Sequence, residues 1–417
     1  MVVLRQRNFA LFWMGALVSR VGDFVLLVAL PFYVYTSSGS ALATGAMFVV
    51  EMVPAIVLGS IAGVFVDRWD HRRTLIVCDL CRAGTLLVLL AARTPESLWL
   101  IYPVACLQSV LAQFFTPGSF ALLPYVVGEE HLMEANSVNA ITANATRLVG
   151  PVLGGLVLAA LGLAGVVVID ATSFLFSAAA IGLVRVPSVQ LEHRESESAL
   201  PPIVGRQWRA FWREWLSGLG LIRTQRGVAA LFVVFAAISL SQGLTDVLIA
   251  PFVKQVLGGD ALVLGWLGTA QGVGGILGGL AVGKVKTAIA PRRLIITGAM
   301  LVGLAILAQV NSRSVALILV LGVAGGVPLM AFNVSQATLL QTSVSDAYRG
   351  RILGAYGASG ALLALVGMIL ASLLGDHLGI LPMLDMAGTL WVVAGGIAIA
   401  LLPRHDPRVF TNSPSDV

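Results

Sequence analysis

Gly63-Val64-Phe65-Val66-Asp67-Arg68-Trp69-Asp70-His71-Arg72-Arg73 is a charged hinge between two long apolar runs, and it decides the fold. Upstream, residues 41–66 carry one charge, Glu51; downstream, 73–92 are apolar apart from Arg73, Asp79 and Arg82. A bilayer core about 30 Å thick needs roughly 20 apolar residues per helix. Continuous runs of that length lack the period-two alternation of barrel strands, so they read as spanning helices. The hinge also recurs. Gly59, Gly63 and Arg72-Arg73 return as Gly279, Gly283 and Arg292-Arg293, each 220 positions later.

Working outward, spanning segments are expected at 9–35, 41–66, 73–92, 98–123, 134–160 and 163–184, then at 228–253, 262–284, 292–311, 314–340, 351–375 and 379–402. Leu11-Phe12, Pro31-Phe32 and Ala41-Leu42 with Gly45 recur as Leu231-Phe232, Pro251-Phe252 and Ala261-Leu262 with Gly265. A six-helix unit repeated in one orientation predicts an all-α membrane protein of 12 transmembrane helices, two six-helix bundles related by pseudo-two-fold symmetry. The expected divisions are 1–184 (first bundle), 185–227 (cytoplasmic linker), 228–403 (second bundle) and 404–417 (cytoplasmic tail). Within the linker, Trp208, Phe211, Trp212, Trp215, Leu219 and Ile222 recur at helical spacing beside Arg206, Arg209 and Arg213. That pattern predicts a helix lying in the headgroup layer.

Composition agrees. Of 417 residues, 58% are apolar and 11% charged, and the mean hydropathy is +0.92. Soluble domains carry about 25% charged residues, so a soluble enzyme, a disordered chain and a disulfide scaffold are poor readings. With an N-terminus inside, internal segments collect 20 of the 26 basic residues, which places both termini in the cytoplasm of a multi-pass inner-membrane protein. The net charge of +5 therefore reports topology, not nucleic-acid binding. Phe9 to Tyr35 is too long for a signal-peptide core and is expected to remain as a spanning helix. Cys78 and Cys81 form a lone C-x-x-C with no second pair, so no metal or redox centre is expected.

The hinge resembles the G-x-x-x-D-R-x-G-R-R/K signature of the major facilitator superfamily, with Asp70 at the second glycine. The resemblance implies a gate in which Gly63 allows close helix contact, Asp67 latches the start of helix 11 near Gly350-Arg351, and Arg68, Arg72 and Arg73 hold the loop at the anionic leaflet. In the second copy Thr287 replaces the aspartate, so the latch is one-sided. Gly150-Pro151-Val152-Leu153-Gly154-Gly155 resembles the core of the superfamily's antiporter motif, although Ser137 and Thr146 stand where it has further glycines. Its kinking proline and small residues suit tight helix packing, and in the family it accompanies export. Phe115-Thr116-Pro117, Leu122-Leu123-Pro124, Glu134-Ala135-Asn136 and Ile169-Asp170-Ala171-Thr172-Ser173-Phe174 are similar to the branch holding macrolide efflux pumps and the enterobactin exporter. The helix 4 arginine of the drug/proton antiporter signature R-x-x-Q-G falls at Ala105, ahead of Gln108-Ser109, so its coupling role does not transfer.

A charge at mid-membrane costs at least about 2.5 kcal/mol, so it faces a cavity or a partner. Arg20, Asp23, Glu51 and Arg147 are the mid-depth candidates, and Leu240, Gly243 and Gln271 are the uncharged counterparts of the first three. Arg20 and Asp23, three apart, are expected to pair; Asp79 and Arg82 are expected to form a local structural pair. Asp170, Asp246 and Asp385 are expected toward the outer ends. Asp23 or Glu51 is the expected proton carrier, because proton affinity depends on burial and on a neighbouring arginine. Phe24, Phe48, Met52, Phe114 and Phe332 would suit a large apolar ligand, with Gln242, Gln271, Asn333 and Gln336 as neutral hydrogen-bonding groups.

The charges, gate and repeat predict a non-enzymatic secondary transporter, and the resemblance implies a proton-coupled exporter of hydrophobic or amphipathic small molecules of the drug or macrolide kind. Its partners would be substrate, protons and the bilayer; the chain would be monomeric and need no cofactor beyond the proton gradient. Siderophore export of the enterobactin type is the alternative, followed by import and by a non-transporting receptor or scaffold. Gly278-Gly279-Leu280-Ala281-Val282-Gly283-Lys284 imitates a phosphate-binding loop but lacks its hydroxyl residue and preceding strand. Primary ATP-driven pumping is therefore not expected.

Overall fold

The computed structural model of the protein describes residues 3–92, 94–185, 226–285, 289–344 and 346–403. Among these, eleven helices are long and apolar enough to cross a membrane. They are α1 (Arg7–Ser38), α2 (Ala41–Val66), α3 (His71–Leu87), α4 (Ile101–Val127), a long helix Leu132–Leu183, α7 (Arg226–Pro251), α8 (Ala261–Val285), α9 (Pro291–Val310), α10 (Val315–Thr342), α11 (Asp346–Leu378) and α12 (Ile380–Leu401). The long helix is broken at Gly162, whose backbone (φ 65°, ψ −171°) is open to glycine but strained for other residues. Its two arms, 132–161 and 163–183, are designated α5 and α6. The expected linker helix around Trp208 lies outside the described residues.

The chain divides into two compact units, one built on α1–α6 and one on α7–α12. Two short segments are exchanged: Asp260–Gly265 belongs with the first unit and Ser40–Gly45 with the second. Phe9, Phe12, Leu75, Leu122, Leu123 and Ile181 form one core of the first unit. Leu231, Ile295, Phe332, Leu340 and Trp391 belong to the core of the second. Phe332 meets Trp391 edge-on at 5.4 Å, so it is a core residue and not a ligand-cavity aromatic.

Helix ends repeat across the halves. Arg72 donates through Nε to the Ile181 carbonyl at 3.1 Å and through Nη2 to the Gly182 carbonyl, closing the end of α6. Arg292 does the same for α12, with Nε to Leu402 and Nη2 to Ile399, both at 2.9 Å. A cation suits the unsatisfied carbonyls and negative dipole end of a helix. The starts of α2 and α8 differ. Asp260 caps α8 from within, accepting from Val263 N at 3.1 Å. The start of α2 is capped by Asp376 of α11, which accepts from Ala41 N and from Ser40 Oγ, both at 2.8 Å.

Candidate functional site

Asp23 does not pair with Arg20. Its Oδ1 lies 2.6 Å from Nη2 of Arg82 on α3, while Arg20 points to α5, where Nη1 reaches the Asn139 carbonyl at 3.5 Å. Three-residue spacing puts both residues on neighbouring parts of one helix surface, but each finds its partner on a different helix. The Asp79–Arg82 pairing gives way for the same reason. Asp79 lies beside the Ser177 hydroxyl, with neither carboxyl oxygen in a hydrogen bond.

Arg82 is held on three sides. Its Nε donates to Gln108 Oε1 at 3.0 Å, and Gln108 Nε2 donates back to the Arg82 carbonyl and to Thr85 Oγ1, both at 2.8 Å. The guanidinium carbon lies 4.1 Å from the centroid of the Phe174 ring, a cation–π arrangement. Such fixing orders a long side chain before any ligand arrives.

Around this one guanidinium stand four carboxyls. Asp23 binds it directly; Glu51, Asp79 and Asp170 each lie within electrostatic reach of both Asp23 and Arg82. Asp170 is not at an outer rim. It is fully buried on α6, where a side chain at Gly22 of α1 would collide with Oδ1 of Asp170 and with Ser173 Oγ. Ser173 Oγ donates to the Asp170 carbonyl at 2.7 Å. Asp170, Ser173, Phe174 and Ser177 recur at helical spacing, so α6 presents a polar stripe at this centre. That spacing is the sequence signal that points to Asp170. Ser109 Oγ on α4 donates to the Glu51 carbonyl at 2.5 Å and ties α2 to the same region.

The remaining candidates scatter. Arg147 is exposed on α5. Phe24 packs against Gly150, and Phe48 and Met52 are half-buried on α2. Phe114 stacks on Trp69 of the hinge with centroids 5.7 Å apart, which ties it to the α2–α3 loop. Gln336 is buried, whereas Gln242, Gln271 and Asn333 are exposed; Gln242 donates to Asp246 at 2.7 Å. Asp385 accepts from Asn311 at 2.7 Å.

The antiporter-like element packs closely. Gly154 lies on the Val25 backbone of α1, where a Cβ would come within 2.9 Å of the Val25 carbonyl oxygen, and Gly155 lies on the backbone of Ala261. At the hinge, Asp70 caps α3, accepting from Arg73 N at 2.7 Å, a role glycine cannot fill. Arg72 closes the end of α6. Among the described residues, a Cβ at Gly63 would meet nothing within 4 Å. Asp67 is exposed, and its expected latch partners, the side chains of Gly350-Arg351, lie outside the described residues. Among the described residues no three His, Cys, Asp or Glu side chains are grouped to hold a metal. Cys78 is buried and Cys81 exposed, both free.

Residues 1–410 match the family model described as transmembrane secretion effector. Macrolide efflux protein A of Streptococcus pyogenes is 24% identical over 388 residues, 92% of this chain and 93% of its own. The multidrug efflux pump Tap of Mycolicibacterium fortuitum is 28% identical over 405 residues, 94% of each chain. Among solved structures, a bacterial homologue of the iron transporter ferroportin in an inward-facing state superposes with a TM-score of 0.74 at 16% identity, covering 96% of this chain and 100% of its own.

Proposed function

The chain belongs to the transmembrane secretion effector family of the major facilitator superfamily, and from that premise we propose that it is a proton-coupled exporter of hydrophobic or amphipathic small molecules, macrolide-type drugs foremost. It is a multi-pass membrane transporter and not an enzyme; the inner membrane, cytoplasmic termini, export direction and proton coupling are parts of the proposal. The carrying observation is the set of four carboxyls around Arg82, with Asp79 and Asp170 buried and Asp23 and Glu51 half-buried, in a chain whose relatives are efflux proteins. A buried carboxylate that can trade a guanidinium for a proton has two neutralised states, and a transporter needs two such states to couple a proton to a conformational change.

In this reading Asp23 is the primary proton carrier, with Glu51 beside it. Alternating exposure of the site follows from rocking of two repeated bundles. Substrate is held by apolar and amide side chains, and the Gly-Pro-x-x-Gly-Gly element keeps α5 tight on α1.

The test is expression in a drug-sensitive bacterial strain. Erythromycin tolerance should rise several-fold, and the gain should vanish on adding a protonophore. Enterobactin secretion measured in the same strains should not change. Unaltered tolerance to macrolides and to lipophilic dyes would end the drug-export reading, and a rise only in siderophore secretion would replace it.

A further inference from the structure

Arg20 and Arg147 are guanidiniums at membrane depth that the centre around Arg82 leaves unused. Among the described residues neither forms an ion pair. The carboxylate nearest Arg20 along the chain, Asp23, is taken by Arg82, and Arg20 keeps one backbone carbonyl, that of Asn139, at 3.5 Å. Arg147 is exposed. At a rise of about 1.5 Å per residue, Arg20 lies about 20 Å along α1 from Arg7, and Arg147 about 22 Å along α5 from Leu132. Headgroups add only about 5–8 Å on each side of a core about 30 Å thick, so both positions fall inside the hydrocarbon span. A cation held there needs a cavity or an acid.

Contacts between the two helices fix their register. Trp13 donates to Thr142 at 2.8 Å, a Cβ on Gly150 would collide with Phe24, and one on Gly154 would touch Val25 and Val28. The helices therefore run parallel. Arg20 stands one turn before Phe24, and Arg147 nearly one turn before Gly150, so both guanidiniums leave neighbouring helices at one level. Helical side chains lean toward the N-terminus of their helix. Arg20 does so, reaching back to Asn139, and the same lean carries Arg147 over Ala143 and Asn144. Asn136, Ala140, Ala143, Asn144 and Arg147 share one exposed face of α5, which offers amides, short side chains and a cation.

We propose that Arg20 and Arg147 form an anion site, which binds the carboxylate or phosphate group of an amphipathic compound. Arginine suits this chemistry, because its planar fork donates two parallel N–H bonds to such a group. Two cations at one depth with no acid beside them attract an anion and repel a cation. The position matching Arg20 in the second repeat is Leu240, so the site belongs to the first unit alone. It rests on the transporter reading above and adds acids to the compounds carried.

The experiment uses full-length protein in phosphatidylcholine nanodiscs and two fluorescent probes, dansyl-aminoundecanoic acid and its methyl ester, with protein-free nanodiscs subtracted. The probes share one apolar body and differ by a single negative charge. Wild type should bind the acid at least about tenfold more tightly than the ester, the scale of a hydrogen bond to a charged group. Arg20→Gln and Arg147→Gln should each weaken acid binding about tenfold and leave ester binding within about twofold, which also reports folded protein. Arg147→Lys, which keeps the charge and loses the fork, should recover part of the loss. Should Arg20→Gln disturb folding, Arg147→Gln, at an exposed position, decides the matter. Phosphatidylglycerol nanodiscs separate the two sources of the anion. Acid binding retained there assigns the site to a carried compound. Competition by phosphatidylglycerol, with fewer lipids retained by Arg147→Gln in native mass spectrometry, assigns it to a lipid headgroup. Equal affinity for acid and ester in wild type, or acid affinity unmoved in both glutamine variants, would overturn the proposal. Erythromycin tolerance without selective acid binding would remove this site and leave drug export standing. Selective acid binding without tolerance would do the reverse.

Discussion

At matching positions, α1 carries Asp23 and α7 carries Gly243, and the two do opposite work. Asp23 reaches 2.6 Å across to Arg82 and anchors a polar centre. Gly243 removes its side chain so that α7 can lie against the carbonyl of Ala364 on α11, while Gly367 of α11 lies against the carbonyl of Leu240. One repeated pattern thus gives a half that handles charge and a half that handles close packing. The difference teaches that the repeat conserves helix ends and lengths, as with Arg72 and Arg292, while the interiors are free to diverge.

The comparison can be broken from the second half first. Gly243→Val pushes a branched side chain into the Ala364 backbone, and overpacking of this kind costs about 3 kcal/mol. Thermal unfolding in detergent should show the loss, whereas Gly63→Ala, where a Cβ meets open space, should leave the transition almost unmoved. Next comes the charged half. Asp23→Asn should keep the fold and reduce pH-gradient-driven erythromycin efflux from proteoliposomes about 100-fold, the low end of what loss of a proton-transfer group costs. Full activity in both Asp23→Asn and Glu51→Gln would remove the coupling role from both. Gln108→Ala, which removes one brace of Arg82 and three buried hydrogen bonds, should lower the same rate about tenfold and destabilise the protein by about 1–3 kcal/mol. The smallest effects belong to the symmetric part. Arg72→Ala and Arg292→Ala should each destabilise by about 1 kcal/mol, and by similar amounts, since each removes a cation from a helix C-terminus. A large inequality between them would show that the ends have diverged as well.

Much of this was legible in the sequence. Segment length and the 220-residue recurrence gave helices and the repeat, because burying apolar length in a bilayer leaves few alternatives. The Gly-Pro-x-x-Gly-Gly packing was readable because small residues report close approach wherever their partner lies. Partners of charged groups were not readable. Arg20 beside Asp23, and Asp79 beside Arg82, satisfy local spacing, yet Asp23 and Arg82 pair from different helices over 59 positions. Local spacing describes one helix, and ion pairs inside a bundle are set by which faces meet. Asp170 follows the same rule: its position along the chain points to a helix end, while its burial comes from Gly22 opposite. Asp70 shows the converse. A departure from a family glycine became intelligible once its oxygen was seen to cap α3.

The two helix starts differ in ownership, α8 closed by its own Asp260 and α2 by Asp376 of another helix. Amide deuterium uptake at residues 41–42 therefore reads out whether Asp376 still caps the segment 40–42, while uptake at 263 stays slow throughout. A single pair of peptides supplies both the signal and its internal reference, without a label or a ligand.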